Sequence, residues 1–246
     1  MATFRSVGVK LSKKSGCGSF RHRNTDHKRY GGIFGQFNRF AAVFLFLASL
    51  LAGPQVTSAS EEPVILAFGD SLTAGYGLPQ NDSFPAQLSR ALASAGHPAK
   101  VINAGVSGDT SAGGANRIDW ALADEPDLVI LELGANDGLR GFEPAQTRKN
   151  LDIILEKSFT SGAKVLFTGM LAPRNLGNDY AAEFDAVFPD MAEKYPNAVF
   201  YPFFLEGVAA DPKLNQDDGI HPNAEGVAVI VERIMPFVLK ALGKDA

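Results

Sequence analysis

Cysteine is nearly absent from this sequence. The single one, Cys17, lies in a basic N-terminal stretch, so the chain beyond it holds no disulfide, no cysteine nucleophile and no thiolate metal site. Histidine is scarce too, since only His97 and His221 of the four in the chain follow residue 60. Basic charge also runs short. Nine of the 23 Lys and Arg residues, but only one of the 27 Asp and Glu residues, fall within residues 1–60. What remains, 14 basic against 26 acidic residues, carries twelve excess negative charges, which argues against nucleic acid or an anionic membrane surface as an electrostatic partner. The uncharged run at residues 40–53, FAAVFLFLASLLAG, is shorter than the about 20 apolar residues of a membrane helix.

A basic stretch, that short apolar run and the small residues Thr57 and Ala59 together read as a secretory signal, cleaved after Ala59 or Ser60. An uncleaved amphipathic or anchoring helix is the alternative. No cysteine follows the run, which disfavours a lipid anchor. The expected organisation is a signal over residues 1–60 and one domain over 61–246, periplasmic or secreted, with no stable membrane anchor.

No repeat or low-complexity linker divides residues 61–246. The runs VILAF, KVINA, LVILEL, KVLFTG and AVFYPF, beginning at residues 64, 100, 128, 164 and 198, predict strands buried on both faces. Helical spacing lies between them. One helix opens at Ser83, a plausible cap, and stops at Gly96. Another ends at Gly162, and others fall near residues 111–123, 180–194 and 223–242. Such alternation predicts βαβ units, a parallel sheet and helices on both faces, with any ligand beyond the carboxyl ends of the strands.

Three polar motifs occupy those ends: GDS after the first strand, GVSGDT after the second and GANDG after the third. A serine hydroxyl is a weak nucleophile until a base takes its proton, and histidine is the usual base near neutral pH. His97, in AGHPA, reads as a solvated turn residue. His221, in DDGIHPNAEG, has Asp218 three residues before it, a spacing that lets the acid fix the ring's tautomer and stabilise the imidazolium. The alternative is that Asp217, Asp218 and His221 only shape a turn and cap the last helix. Donors for a developing oxyanion are available in the N–H groups of Ser71 and Gly108 and the Asn136 amide, although Gly and Asn are also common turn residues. Asp70, Asp109 and Asp137 read as residues that hold these loops. Leu72, Leu139, Phe142, Leu171, Pro173, Phe203 and Phe204 are candidates to line an acyl groove. The segment LAPRNLGNDY, residues 171–180, has the composition of a loop that gates substrate.

The ordered set GDSL, Gly, GxND and DxxH resembles the GDSL, or SGNH, hydrolase family. Its four name-giving residues would be Ser71, Gly108, Asn136 and His221, with Asp218 completing a triad. The resemblance spans essentially all of residues 61–246. The stretches NAGVSGDTS, LELGANDGLRGF, YPFFLEGV and QDDGIHPN are most similar to its secreted single-domain thioesterase, arylesterase and lysophospholipase members. That likeness implies a three-layer α/β/α sandwich with a five-stranded parallel, flavodoxin-like sheet, hydrolysis of acyl esters and thioesters by a serine nucleophile, and no cofactor. The serine mechanism requires no metal, and a cofactor-free single domain of this size can work as a monomer. Two alternatives stand beside it, a carbohydrate O-deacetylase of the same family and a non-catalytic flavodoxin-like binding module. The α/β-hydrolase elbow GxSxG is excluded, because GDSLT ends in Thr73.

Overall fold

In the computed structural model, residues 62–244 are described. The expected leader, residues 1–60, lies outside them. Five strands, β1 (Val64–Gly69), β2 (Lys100–Gly105), β3 (Leu128–Glu132), β4 (Lys164–Thr168) and β5 (Val199–Tyr201), form one sheet. All its pairings are parallel, in the order β2-β1-β3-β4-β5.

The helices are α1 (Ser71–Ala74), α2 (Phe84–Ser94), α3 (Ser111–Ala121), α4 (Ala135–Leu139), α5 (Pro144–Thr160), α6 (Asn178–Lys194) and α7 (Ala224–Leu242). They fall into two packed sets: α2 rests against α7, and α5 lies between α3 and α6. A parallel sheet needs such cover on both faces. Among the described residues, no helix is long and apolar enough to cross a membrane.

The core follows the strand sequences. Leu128, Val129, Ile130 and Leu131 of β3 are fully buried, as are Ile65, Leu66, Ala67 and Phe68 of β1. Each such Leu, Ile or Phe contributes about 1.5–3 kcal/mol by leaving water. The expectation of strands buried on both faces holds for these two and fails at the sheet's edge. In β2 no residue is fully buried, and Lys100 and Asn103 are exposed. One side of an edge strand has no neighbour, and the Lys and Asn of KVINA are the polar residues that mark such a strand in the sequence. Ser83 does occupy the N-cap position of α2, but its hydroxyl donates to the Gln80 carbonyl at 2.7 Å instead of capping the helix.

Strand order fixes where a ligand can sit. From β1 the chain crosses to β2 on one side, then returns over β1 to β3 on the other. The connections therefore diverge at the β1/β3 boundary, and a crevice opens at the carboxyl ends of those two strands.

Candidate active site

Ser71 stands at that crevice, on the first residue of α1. The helix has only four residues, too short to persist alone, and its ends are tied locally. The Asp70 carboxylate accepts from the Leu72 N–H at 3.0 Å. Gly75 closes the turn at φ 80°, returning its N–H to the Ser71 carbonyl. A left-handed residue at this point favours glycine. Ser71 is left 8% exposed.

His221 comes from residues 215–222, a loop pinned at its base. Gln216 donates its backbone N–H to the His221 carbonyl at 2.8 Å, and its amide to the Pro222 and Tyr76 carbonyls. The Asp218 carboxylate organises the tip. One oxygen accepts from the Ile220 and His221 N–H groups at 2.9 and 3.0 Å, and the other lies 2.7 Å from His221 Nδ1. With the Nδ1 proton given to Asp218, Nε2 is an acceptor, 2.9 Å from the Ser71 hydroxyl. The His221 N–H above all, then the ring and the Ile220 N–H, hold the Asp218 carboxyl down to about 2. It stays ionised at any ordinary pH, although its side chain is 40% exposed. The Tyr76 ring lies against the imidazole, with centroids 4.6 Å apart.

Asn136 lies on α4, and its amide donates to the second Asp70 oxygen at 3.1 Å. Gly108 is exposed in the loop after β2, at φ 80°, and its carbonyl accepts from Arg140 at 3.0 Å. Among the described residues no group engages the N–H of either Ser71 or Gly108. Asp109 and Asp137 hold these loops, as their positions predict. Asp137 accepts from the Ser111 N–H at 2.8 Å and from the Ser111 and Thr147 hydroxyls, which binds α3 and α5 to α4. Asp109 receives Arg117 at 2.7 Å.

Arg117 was not visible as a site residue in the sequence. Its guanidinium also reaches the Ala104 and Gly69 carbonyls, both at 2.8 Å, and lies over the Phe68 ring. It thereby clasps the carboxyl ends of β1 and β2. Glu132 was missed as well, and it carried a signal: an acid inside a run of buried apolar residues. It is wholly buried beside Asp70. Burial raises the Asp70 carboxyl to about 6. Burial, then the charge of Asp70, lifts Glu132 well above the usual carboxyl range.

A cleft of about 620 Å³ opens from Ser71 and His221. Leu72, Leu139, Leu171, Pro173 and Phe203 line it, joined by Met170, which the sequence did not single out. Phe142 borders a separate depression with Gly141 and Glu143, and Phe204 is buried in the core against Phe84. In the segment at residues 171–180, a short 3-10 turn at Arg174–Leu176 is anchored by Asp185, which takes the Ala172 N–H and the Arg174 guanidinium. A larger cavity, about 690 Å³, sits at the opposite end of the sheet among Pro63, Asp127 and Lys164. It contains neither Ser71 nor a histidine.

A flavodoxin-like sheet bearing Asp, His and Ser in sequential contact at its switch point defines a class, the SGNH-type hydrolases. Residues 67–229 match the GDSL-like Lipase/Acylhydrolase family, and the chain belongs to that family. It is 41% identical over 193 residues to Esterase TesA of Pseudomonas aeruginosa, covering 78% of this chain and 96% of the relative. It is 37% identical over 200 residues to Thioesterase 1/protease 1/lysophospholipase L1 of Escherichia coli, covering 81% and 92%. The solved structure of AlinE4, an SGNH-hydrolase family esterase, aligns with a TM-score of 0.63 at 52% identity, over 75% of this chain and 99% of that one.

Proposed function

We propose that the protein is a serine hydrolase that cleaves acyl esters and thioesters through an acyl-enzyme on Ser71. The observation that carries this reading is the unbroken relay from Asp218 through His221 to Ser71, with contacts of 2.7 and 2.9 Å, at the mouth of an apolar cleft. Ser71 attacks the acyl carbonyl as His221 Nε2 takes its proton, and Asp218 stabilises the imidazolium. The Ser71 and Gly108 N–H groups and the Asn136 amide receive the oxyanion. His221 then returns the proton to the departing alcohol or thiol. Water repeats the sequence on the acyl-enzyme, and neither metal nor cofactor takes part.

Leu72, Leu139, Leu171 and Pro173 receive the acyl chain, and their apolar character favours it over an acetylated sugar. All these groups come from one chain, so a single copy carries a complete site, which supports action as a monomer. It acts in the periplasm or outside the cell after removal of residues 1–60, as their basic-then-apolar sequence supports. N-terminal sequencing of exported protein checks that point.

The decisive test is Ser71→Ala. Turnover of a short p-nitrophenyl ester falls at least about a thousandfold, while the circular dichroism spectrum is unchanged. Retention of most turnover sinks the assignment.

A further inference from the structure

Glu132 is the last residue of β3 and that strand's only charged one. Its Oε2 accepts from the Thr73 hydroxyl at 2.7 Å and from the Asp70 N–H at 3.3 Å, so it grips the chain on both sides of Ser71. Its Oε1 is buried with no hydrogen-bond partner among the described residues. The fit leaves no slack, because a Cβ at Gly69 would fall 2.4 Å from Oε2.

The groups that face this carboxyl come from every neighbouring element. Asp70 lies beside it on the turn after β1, and its charge acts on Glu132 directly. His221 from the last loop and Asp109 from the loop before α3 act in turn on Asp70. Arg117 of α3 is committed to Asp109 and to the Ala104 and Gly69 carbonyls. No cation pairs with Glu132 among the described residues.

We propose that Glu132 is an uncharged acid that positions the Ser71 turn, with Oε2 as the accepting carbonyl oxygen and Oε1 keeping the proton. An ionised carboxylate here would leave one charged oxygen buried and uncompensated beside a second acid. An un-ionised one leaves only a hydroxyl unpaired, and its carbonyl oxygen has lone pairs for both donors. Asp70 is then the member of the pair that ionises, and its two oxygens are the acceptors for the Leu72 N–H and the Asn136 amide. Burial and the Asp70 charge hold the Glu132 carboxyl in the acid form. Ionisation in alkali would set two negative charges side by side beneath the nucleophile.

The inference rests on Ser71 being the nucleophile, and its test separates the two ideas. Parent, Ser71→Ala, Glu132→Gln and Glu132→Leu proteins are compared for kcat and KM on a short p-nitrophenyl ester, from neutral to alkaline pH. Infrared spectra at neutral pH look for the C=O band of a buried carboxylic acid. Glutamine has the shape of the un-ionised acid, so Glu132→Gln keeps kcat within about threefold of the parent, and loses any alkaline decline that Glu132 causes. Glu132→Leu strands both donors and lowers kcat at least about 30-fold, with KM moving less than about threefold. The acid band is present in the parent and in Ser71→Ala, and absent from Glu132→Gln. A Glu132→Gln variant as impaired as Glu132→Leu, a parent without the band, or a fully active Glu132→Leu each overturns the proposal. Should Glu132→Leu fail to fold, the glutamine variant and the band decide. An active Ser71→Ala would refute the nucleophile while leaving the infrared result to stand or fall by itself.

Discussion

Asp218 offers the sharpest quantitative test, because it is exposed. In Asp218→Ala the carboxylate disappears, but with 40% of that side chain open to solvent, water can enter and accept from His221 Nδ1. An exposed ion pair is worth at most about 1 kcal/mol, and a hydrogen bond to a charged group about 1.5–3 kcal/mol, part of which water restores. The net loss is about 2–3 kcal/mol of transition-state stabilisation, or about 30- to 150-fold in kcat. Asp218→Asn behaves differently. Its oxygen keeps the Ile220 and His221 N–H groups that now bind the Asp218 carboxylate, which turns the new NH₂ toward the ring. Two donors then face each other until the imidazole moves its proton to Nε2 and can no longer take one from Ser71. A tautomer error of this kind costs about 10⁴ in kcat. Asparagine should therefore be worse than alanine. The assay is kcat on p-nitrophenyl acetate, with circular dichroism to confirm folding. Asp218→Ala as impaired as Ser71→Ala, or Asp218→Asn more active than Asp218→Ala, refutes the reasoning.

Asn136→Ala lowers kcat about 10²- to 10³-fold with little change in KM, and an unchanged kcat removes that amide from the oxyanion site. Leu171→Asp, at the lip of the cleft, lowers the ratio of kcat/KM for p-nitrophenyl decanoate over acetate about tenfold, since each buried methylene is worth about 0.8 kcal/mol; a constant ratio shows that the acyl chain lies elsewhere. Asp70 links the site to stability. Its carboxyl is raised from 3.8 to about 6 by burial, so the folded state holds that proton more tightly, and the associated stability is present below about pH 4 and lost as pH rises to about 6. The unfolding free energy of Asp70→Asn, relative to the parent, therefore moves in the variant's favour by up to about 3 kcal/mol across that interval. Urea titrations at several pH values measure it, and a flat difference contradicts the buried charge.

The sheet was legible because five apolar runs recur at βα spacing, and the polar motifs were legible because each follows a run. Other features depend on neighbours that the sequence places far away. KVINA resembles VILAF in its apolar positions but adds Lys100 and Asn103, the residues that its place at the sheet's edge leaves exposed. Phe203 and Phe204 have the same chemistry, but successive residues beyond a strand face opposite ways, one into the cleft and one into the core. Leu139 and Phe142 part company where Gly141, at φ 65°, turns the chain after α4. Glu132 shows in the sequence only as an acid in an apolar strand. Its purpose emerges when Thr73 and Asp70, 59 and 62 residues away, are seen around it.

The strap formed by Gln216 joins the turn after Ser71 to the loop that carries His221, across 140 residues of chain. Gly77 makes that strap possible, since a side chain there would collide with the Gln216 amide. The Ser71 and His221 side chains, 150 residues apart in sequence, thus meet only after nearly the whole domain has closed on itself, a contact of high sequence separation that is slow to form. Turnover can therefore serve as a clock for refolding. Helix content can return while the last loop is still undocked, but ester cleavage reappears only when the loop of His221 has found the turn of Ser71.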